Sequence, residues 1–326
     1  MVSSRSTASC QWQGATVVAA LPILALAALA ALAALTASPA AAASPSEPGD
    51  PLAVVSFNIR YGTAEDGENH WTRRREMLFA LLRELDADLV GLQEALDFQI
   101  AEILAAMPRY AAVGVGRDDG GGAGELSAIL FDRERLWVAS SGTFWFSDTP
   151  AVPGSRSWGN TIPRIATWAR FVDRDGSAFW HYNVHLDHQS QPSRVRSTAL
   201  LADRIAARAP AGEPVLVTGD FNAGEDNAAM TTLLGQAGAA SVAAEPPFLD
   251  TFRVRHPDAV GVGTFSGFDP SRTAGPKIDY VLVQPGAEVL DAAILRWNRE
   301  GRTPSDHFPV SARVRLGPAA LHQADP

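Results

Sequence analysis

"PVLVTGDFNAGEDN", residues 214–227, poses the question on which the reading of this chain turns. Pro214 to Thr218 reads as a short apolar strand, and at its end stand Gly219, Asp220, Phe221 and Asn222, two polar side chains either side of an aromatic. Spaced by two on an extended chain, Asp220 and Asn222 leave the strand on one face, and Phe221 points the other way, into a core. Taken alone the pair reads as a strand-ending turn. Its meaning depends on what the other strands carry at their ends.

Working outward, the same pattern recurs. "LAVVSFNIRYG" (52–62) is a strand ending in a turn, "RREMLFALLRELDA" (74–87) has apolar residues at helical spacing, and "DLVGLQEA" (88–95) is a strand ending in an acid. In the second half "FWHYNVHLDH" (179–188), "RVRSTALLADRIAARA" (194–209) and the opening stretch repeat strand, helix, strand. This likeness without a short sequence repeat predicts two similar sheets packed together in one domain, with helices outside.

Composition bounds the class. The chain has 326 residues, 46% of them hydrophobic, and is globular. Residues 1–43 stand apart, with Arg5 their only charge, an Ala/Leu/Val run over 15–37 and small residues before Ala43; they read as a secretory signal peptide. An uncleaved membrane anchor is the rival reading, which the weakly apolar run and its Ala-x-Ala end disfavour. Residues 44–50 are expected to be a disordered leader, 51–317 the domain and 318–326 a frayed tail. Cys10, the only cysteine, leaves with the signal, so the mature chain has neither disulfides nor thiolate metal sites.

Losing Arg5 takes the formal charge from −9 to −10, which offers no general attraction to nucleic acid or anionic membrane. Lys277 is the only lysine. The arginine clusters at 73–75 and at Arg194 and Arg196 are open to two readings, a solvated helix face or a phosphate-facing role. "GVGRDDGGGAGE" (114–125) is a long loop, near the site or simply exposed, and no linker divides 51–317.

Each strand end delivers a polar group: Asn58, Glu94, His185, Asp220 with Asn222, and Asp279, with Asp306 and His307 in "TPSDHFPVSARV". Hard oxygen donors, amides and histidines in one chain are what a magnesium-type phosphoester hydrolase needs: a cation against a phosphate oxygen, a group to handle the water's proton and a donor for the developing charge.

In order along the chain, "SFNIRYG", "LVGLQE", "NVHLDH", "TGDFNA", "KIDYVLV" and "SDHFPV" resemble the endonuclease/exonuclease/phosphatase superfamily, from about residue 52 to 315. The resemblance implies a four-layered α/β sandwich, two central mixed β-sheets flanked by helices, with the site at one edge. It also implies roles. Glu94 is similar to the principal metal ligand, supported by Asn58 and Asp306. Asp220 and Asn222 match the pair that positions the water and contacts the phosphate. His307, oriented by Asp279, matches the proton-handling histidine, and His185 the one that hydrogen-bonds the phosphate. The general base is Asp220 or His307; an acid-paired imidazole titrating nearest neutrality favours His307. Mg²⁺ is the expected ion, with Mn²⁺ or Ca²⁺ as substitutes.

Where many apurinic-type members of the superfamily carry an acid two places after the first Asn, this chain has Arg60, so a second metal site is not expected there. Arg60 would touch phosphate or brace Glu94. The segments around "DGENHW", "PRIATW" and "HLDHQSQPSR" resemble a secreted bacterial branch of the superfamily, and that resemblance implies Trp71, Arg74, Arg164, Asp187, His188 and Arg194 near the site as substrate contacts. Trp71 or Trp158 could stack on a sugar or base. Core packing is the competing reading for the tryptophans, as is a structural pair for Asp187 and His188.

No dense basic stretch or apolar wedge is visible, so a small phosphoester (sugar, inositol or nucleotide phosphate, or lipid headgroup) is expected before duplex nucleic acid or membrane lipid. The chain is expected to act as a secreted monomer without stable membrane insertion. Two other classes explain less. A zinc site at His181, His185, Asp187 and His188 lacks the spacing of metallo-β-lactamases. An inactive binding module would be expected to lose Glu94, Asp220 or His307, and all three are present.

Overall fold

The computed structural model describes residues 49–235 and 247–317, so the signal peptide, most of the leader and the tail expected from the sequence lie outside the described residues. Two six-stranded mixed sheets carry the fold. The first contains β1 (Leu52–Asn58), β2 (Leu89–Gln93), β3 (Tyr110–Val113), β4 (Ile129–Asp132), β11 (Glu288–Ile294) and β12 (Val310–Arg315), in the order β11-β12-β1-β2-β4-β3. The second contains β5 (Leu136–Trp145), β6 (Ile165–Asp173), β7 (Ala178–His185), β8 (Val215–Asp220), β9 (Leu249–Asp250) and β10 (Asp279–Val283), in the order β5-β6-β7-β8-β10-β9.

Alternation along the strands builds the layers. Val54 of β1, Leu216 of β8 and Val281 of β10 belong to one core between the sheets. Their neighbours Val55 and Phe57 pack outward with α1 (Trp71–Leu85) and α2 (Asp97–Ala106). Val217, Tyr280 and Leu282 pack outward on the other side with α3 (Gln191–Ala206) and α4 (Ala228–Leu233); a further short helix, α5 (Thr251–Arg255), follows β9. Strands covered on both faces are buried along their whole length, as β8 and β10 are, and apolar except toward the ends that reach the shared edge. Each buried aliphatic side chain contributes about 1.5–3 kcal/mol, and the sum does without disulfides. The result is the expected four-layered sandwich.

The two halves are alike in connection. β1 runs parallel to β2 through α1, and β7 runs parallel to β8 through α3. The parallel pairs therefore end on one edge, with Asn58 opposite Gln93 and His185 opposite Asp220, while antiparallel β10 places Asp279 opposite Asp220. Behind that edge the sheets meet through polar groups: Gln93 donates to Asn183, Asn183 to the carbonyls of Leu92 and Ala128, and Thr218 to Asn183. Gly91 is required there, since a Cβ would sit 2.0 Å from the Thr218 hydroxyl. No helix among the described residues is long and apolar enough to cross a membrane.

Candidate active site

At the shared edge a cleft of ≈ 850 Å³ opens between the sheets. Arg60, Glu94, Arg164, His185, His188, Asp220, Asn222, Asp306 and His307 all line it. Three of these turn the chain out of a strand in left-handed backbone, Arg60 at φ 57°, Glu94 at φ 57° and Asn222 at φ 48°. Such a conformation costs a non-glycine residue on the order of 1 kcal/mol or more. Local hydrogen bonds offset it: the Arg60 amide donates to the Asn58 side chain, the Tyr61 amide to Glu94 and the Asn222 amide to Asp220. Asn222 thus reaches the cleft by a turn and not as the next in-phase residue of β8, its side chain donating to the Leu186 carbonyl. Phe221 is fully buried, edge-on to Tyr280, as its position between the two polar residues predicted.

The floor is acidic. Asn58, buried behind it, donates its amide to Glu94 at 3.1 Å and to Asp220 at 3.0 Å. Its oxygen accepts from the Arg60 amide, so Asn58 ties the turn after β1 to the two carboxylates. The Arg60 guanidinium forms a two-point pair with Asp66 and lies 4.0 Å from Glu94 and 3.8 Å from Asp306. The guanidinium therefore stands between the two carboxylates, the geometry that a brace for Glu94 calls for. Burial raises the Asp306 carboxyl above its usual range.

His307 bonds Asp279 at 2.9 Å, and its far nitrogen lies 3.9 Å from Asp220. Burial opposes a charge on this imidazole, but Asp279, Asp220 and Asp306 outweigh it and hold its pKa well above 6.5. Burial, with Asp279 beside it, pushes Asp220 up to about 7. Asp220 is thus raised toward neutrality while His307 is held above its usual range.

The opposite wall is built on Arg164, whose guanidinium donates to Nε2 of His185 at 3.0 Å and to Nδ1 of His188 at 2.7 Å. An arginine can only donate, so both imidazoles accept and are neutral there. Burial first, and then Arg164, lower both histidines below 6.5. His185 therefore offers no Nε2 proton to a phosphate; the donor in this corner is Arg164. Beneath it, Asp187 lies 3.5 Å from the guanidinium and accepts from the amides of Gln189 and Ser190. It shapes the turn carrying His188 and does not contact the cleft.

Other expected contacts are also placed elsewhere. Trp71 is 1% exposed, packed edge-on to Phe79 and bonded to Glu102, so it is a core residue and not a stacking platform. Trp158 bonds Asp148 and is absent from the cleft lining. Arg194 bonds Gln191 and the Asp187 carbonyl, which makes it a brace for the same turn and not a phosphate contact. Arg74 is fully buried and donates to the carbonyls of Ile59, Arg60, Asn69 and Pro304, tying the Asn58 turn to the Asp306 loop; burial lowers its pKa to about 10. The zinc cluster does not form: His181 bonds Thr218 between the sheets, away from His188.

Sequence reasoning missed Arg117, Glu125, Phe265 and Arg272, which also line the cleft. Arg117 and Glu125 form a two-point pair across the Gly-rich loop, and burial raises Glu125 to about 7. A charge at each end of a glycine run was the available signal.

The donor set fits a hard divalent ion. Glu94 and Asp306 face the cleft with oxygen, and one oxygen of Asp279 is buried without a hydrogen-bond partner. Asp220, Asp279 and His307 offer ligand atoms within 4.8 Å of one another. Carboxylates without thiolates suit Mg²⁺ or Mn²⁺.

A two-sheet sandwich whose strand ends gather carboxylates, an acid-paired imidazole and arginines in one cleft brings together the groups that phosphoester hydrolysis calls for. The sequence profile of the Endonuclease/Exonuclease/phosphatase family matches residues 55–307, and the chain belongs to that family. Among solved structures it is 30% identical to an endonuclease/exonuclease/phosphatase family protein of Bacteroides thetaiotaomicron, over 82% of this chain and 98% of that one, with a TM-score of 0.73. It is 32% identical to a mannosyl-6-phosphatase of the same organism, over 81% and 99%, with a TM-score of 0.72. The human Nocturnin catalytic domain, 15% identical over 82% and 94% with a TM-score of 0.62, shares the fold. A search of curated proteins gave no match.

Proposed function

We propose that this chain is an exported, divalent-metal-dependent phosphoesterase that cleaves a small phosphoester, a sugar phosphate foremost. The observation that carries the reading is the Asp279–His307–Asp220 group facing Arg164 and Asn222 across one cleft. The likeness to a mannosyl-6-phosphatase supports the substrate class.

The residues divide the work. Arg164 and Asn222 hold phosphate oxygens, Arg164 with its in-plane N–H groups. Asp220, an acceptor once ionised, takes the proton of the attacking water as the new O–P bond forms. His307, charged against Asp279, hydrogen-bonds the ester oxygen and gives it a proton as the old P–O bond breaks. Asn58 keeps Asp220 and Glu94 apart and oriented, and Arg60 braces Glu94 and Asp306. A divalent ion at Glu94 and Asp306 would neutralise phosphate charge and polarise phosphorus.

The test is a panel with one metal: mannose 6-phosphate, bis(p-nitrophenyl) phosphate, plasmid DNA and phospholipid vesicles. Turnover of the sugar phosphate, stopped by EDTA and restored by Mg²⁺, is expected. Nicking of the plasmid with an inert sugar phosphate would replace this reading with a deoxyribonuclease-like one. No metal-dependent turnover of any member would leave a binding module.

A further inference from the structure

Four arginines reach the cleft, and three of them are paired with acids: Arg60 with Asp66, Arg117 with Glu125, and Arg164 beside Asp187. Arg272 differs. Among the described residues no carboxylate lies in ion-pair range of its guanidinium, which sits 5.0 Å over the ring of Phe265. Phe265 is itself a large apolar residue left 37% exposed, and its ring meets that of His307 edge-on at 5.2 Å. An exposed aromatic touching the candidate proton donor, with a guanidinium stacked on it that makes no close ion pair and feels only the more distant charge of Asp269, is a binding surface by its chemistry.

The loop bearing this pair is fixed to the reacting groups at both ends. Phe265 bridges to His307 in the backbone, and the amides of Ser266 and Gly267 donate to the Asp306 carbonyl. On the far side the amides of Ile278 and Asp279 donate to the Thr264 hydroxyl. Left-handed backbone at Gly267 (φ 59°) and Phe268 (φ 66°) folds the loop back between these anchors. The Phe265 ring is therefore registered to the Asp279–His307 pair, on the side where His307 would meet the ester oxygen.

We propose that Phe265 and Arg272 form a leaving-group subsite that selects phosphoesters whose leaving group is a ring bearing a second anionic group, a phosphate or a carboxylate. The ring lies against Phe265 and the second anion takes the in-plane N–H donors of Arg272. This rests on the phosphoesterase reading for its orientation, and on the loop's own geometry for the anion.

The test uses one ring with three substituents: glucose 1-phosphate, glucose 1,6-bisphosphate and glucuronic acid 1-phosphate. The native protein should favour the two doubly anionic compounds by about tenfold in kcat/KM, mostly through KM. Arg272→Gln should erase that preference and leave glucose 1-phosphate within about twofold. Arg272→Lys should keep part of it. If the phosphate but not the carboxylate gains, or the reverse, the second anion is identified and the subsite stands. No preference in the native protein, or an equal loss on all three compounds in Arg272→Gln, overturns it. Equilibrium binding in EDTA separates the two readings. Charge-selective binding lost in Arg272→Gln, with no compound hydrolysed, keeps the subsite and sinks the phosphoesterase; binding without selectivity sinks the subsite.

Discussion

The floor of the cleft and its walls are built differently. Asn58, Glu94, Asp220 and Asp279 sit at strand ends or one residue beyond, and the parallel pairing of β1 with β2 and of β7 with β8 lines those ends up. Arg117, Glu125, Phe265 and Arg272 come from loops, held by pairs among themselves or by anchors at the loop base. Register fixes the floor to the geometry of the sheets, whereas the wall residues take their places from contacts made by their loops. On the proposed reading the floor carries the chemistry and the walls carry the choice of substrate.

The comparison breaks first if the floor proves dispensable. His307→Ala or Asp220→Ala should lower kcat/KM by about a thousandfold or more on every substrate, with the far-ultraviolet circular dichroism unchanged. Loss on one substrate and not another would move these residues to the walls.

Arg164 stands at the boundary, rooted in β6 approach and facing the cleft. Arg164→Ala removes one donor from both His185 and His188, and should cost about 10- to 100-fold in kcat/KM. Arg164→Lys should recover little, because an ammonium lacks the planar fork that reaches both imidazoles. Full recovery by lysine would mean that only the charge matters.

The same division explains what was legible in the sequence. Strand ends were, because an apolar run of period two stops at a polar residue, and "TGDFNA" or "LVGLQE" shows that stop directly. The sandwich followed from the strand–helix–strand likeness of the halves. Arg74 and Trp71 misled because they lie in the same segment as true site neighbours such as Arg60 and Tyr61. Only the fold shows that helical spacing turns Trp71 inward to Phe79 and buries Arg74 among carbonyls. His307 misled for a different reason. An acid-paired imidazole was expected near neutrality, but two further carboxylates, Asp220 and Asp306, gather on it from distant segments. Phe265 and Arg272 were invisible because six loop residues lie between them and nothing in spacing alone stacks one on the other.

Glu125 sharpens the wall side through stability. Its pKa is raised from 4.5 to about 7, mainly by burial against the pull of Arg117. A raised folded value means that its contribution to stability is whole below pH 4.5 and is lost as pH rises through about 7. Over that window the native protein should lose on the order of 2 kcal/mol relative to Glu125→Gln, read as Tm against pH for the two proteins. Parallel curves would mean that Arg117 keeps Glu125 ionised throughout.

The smallest effect marks where the cleft ends. Trp71→Phe gives up the bond to Glu102 and part of the indole's volume, while the ring position against Phe79 stays filled. The cost should be about 1–2 kcal/mol, seen as a few degrees in Tm, with kcat/KM within about twofold on mannose 6-phosphate. A tenfold loss of kcat/KM at unchanged Tm would put the indole back among the substrate contacts. It would also mean that the helix α1 face, and not only loops, builds the walls.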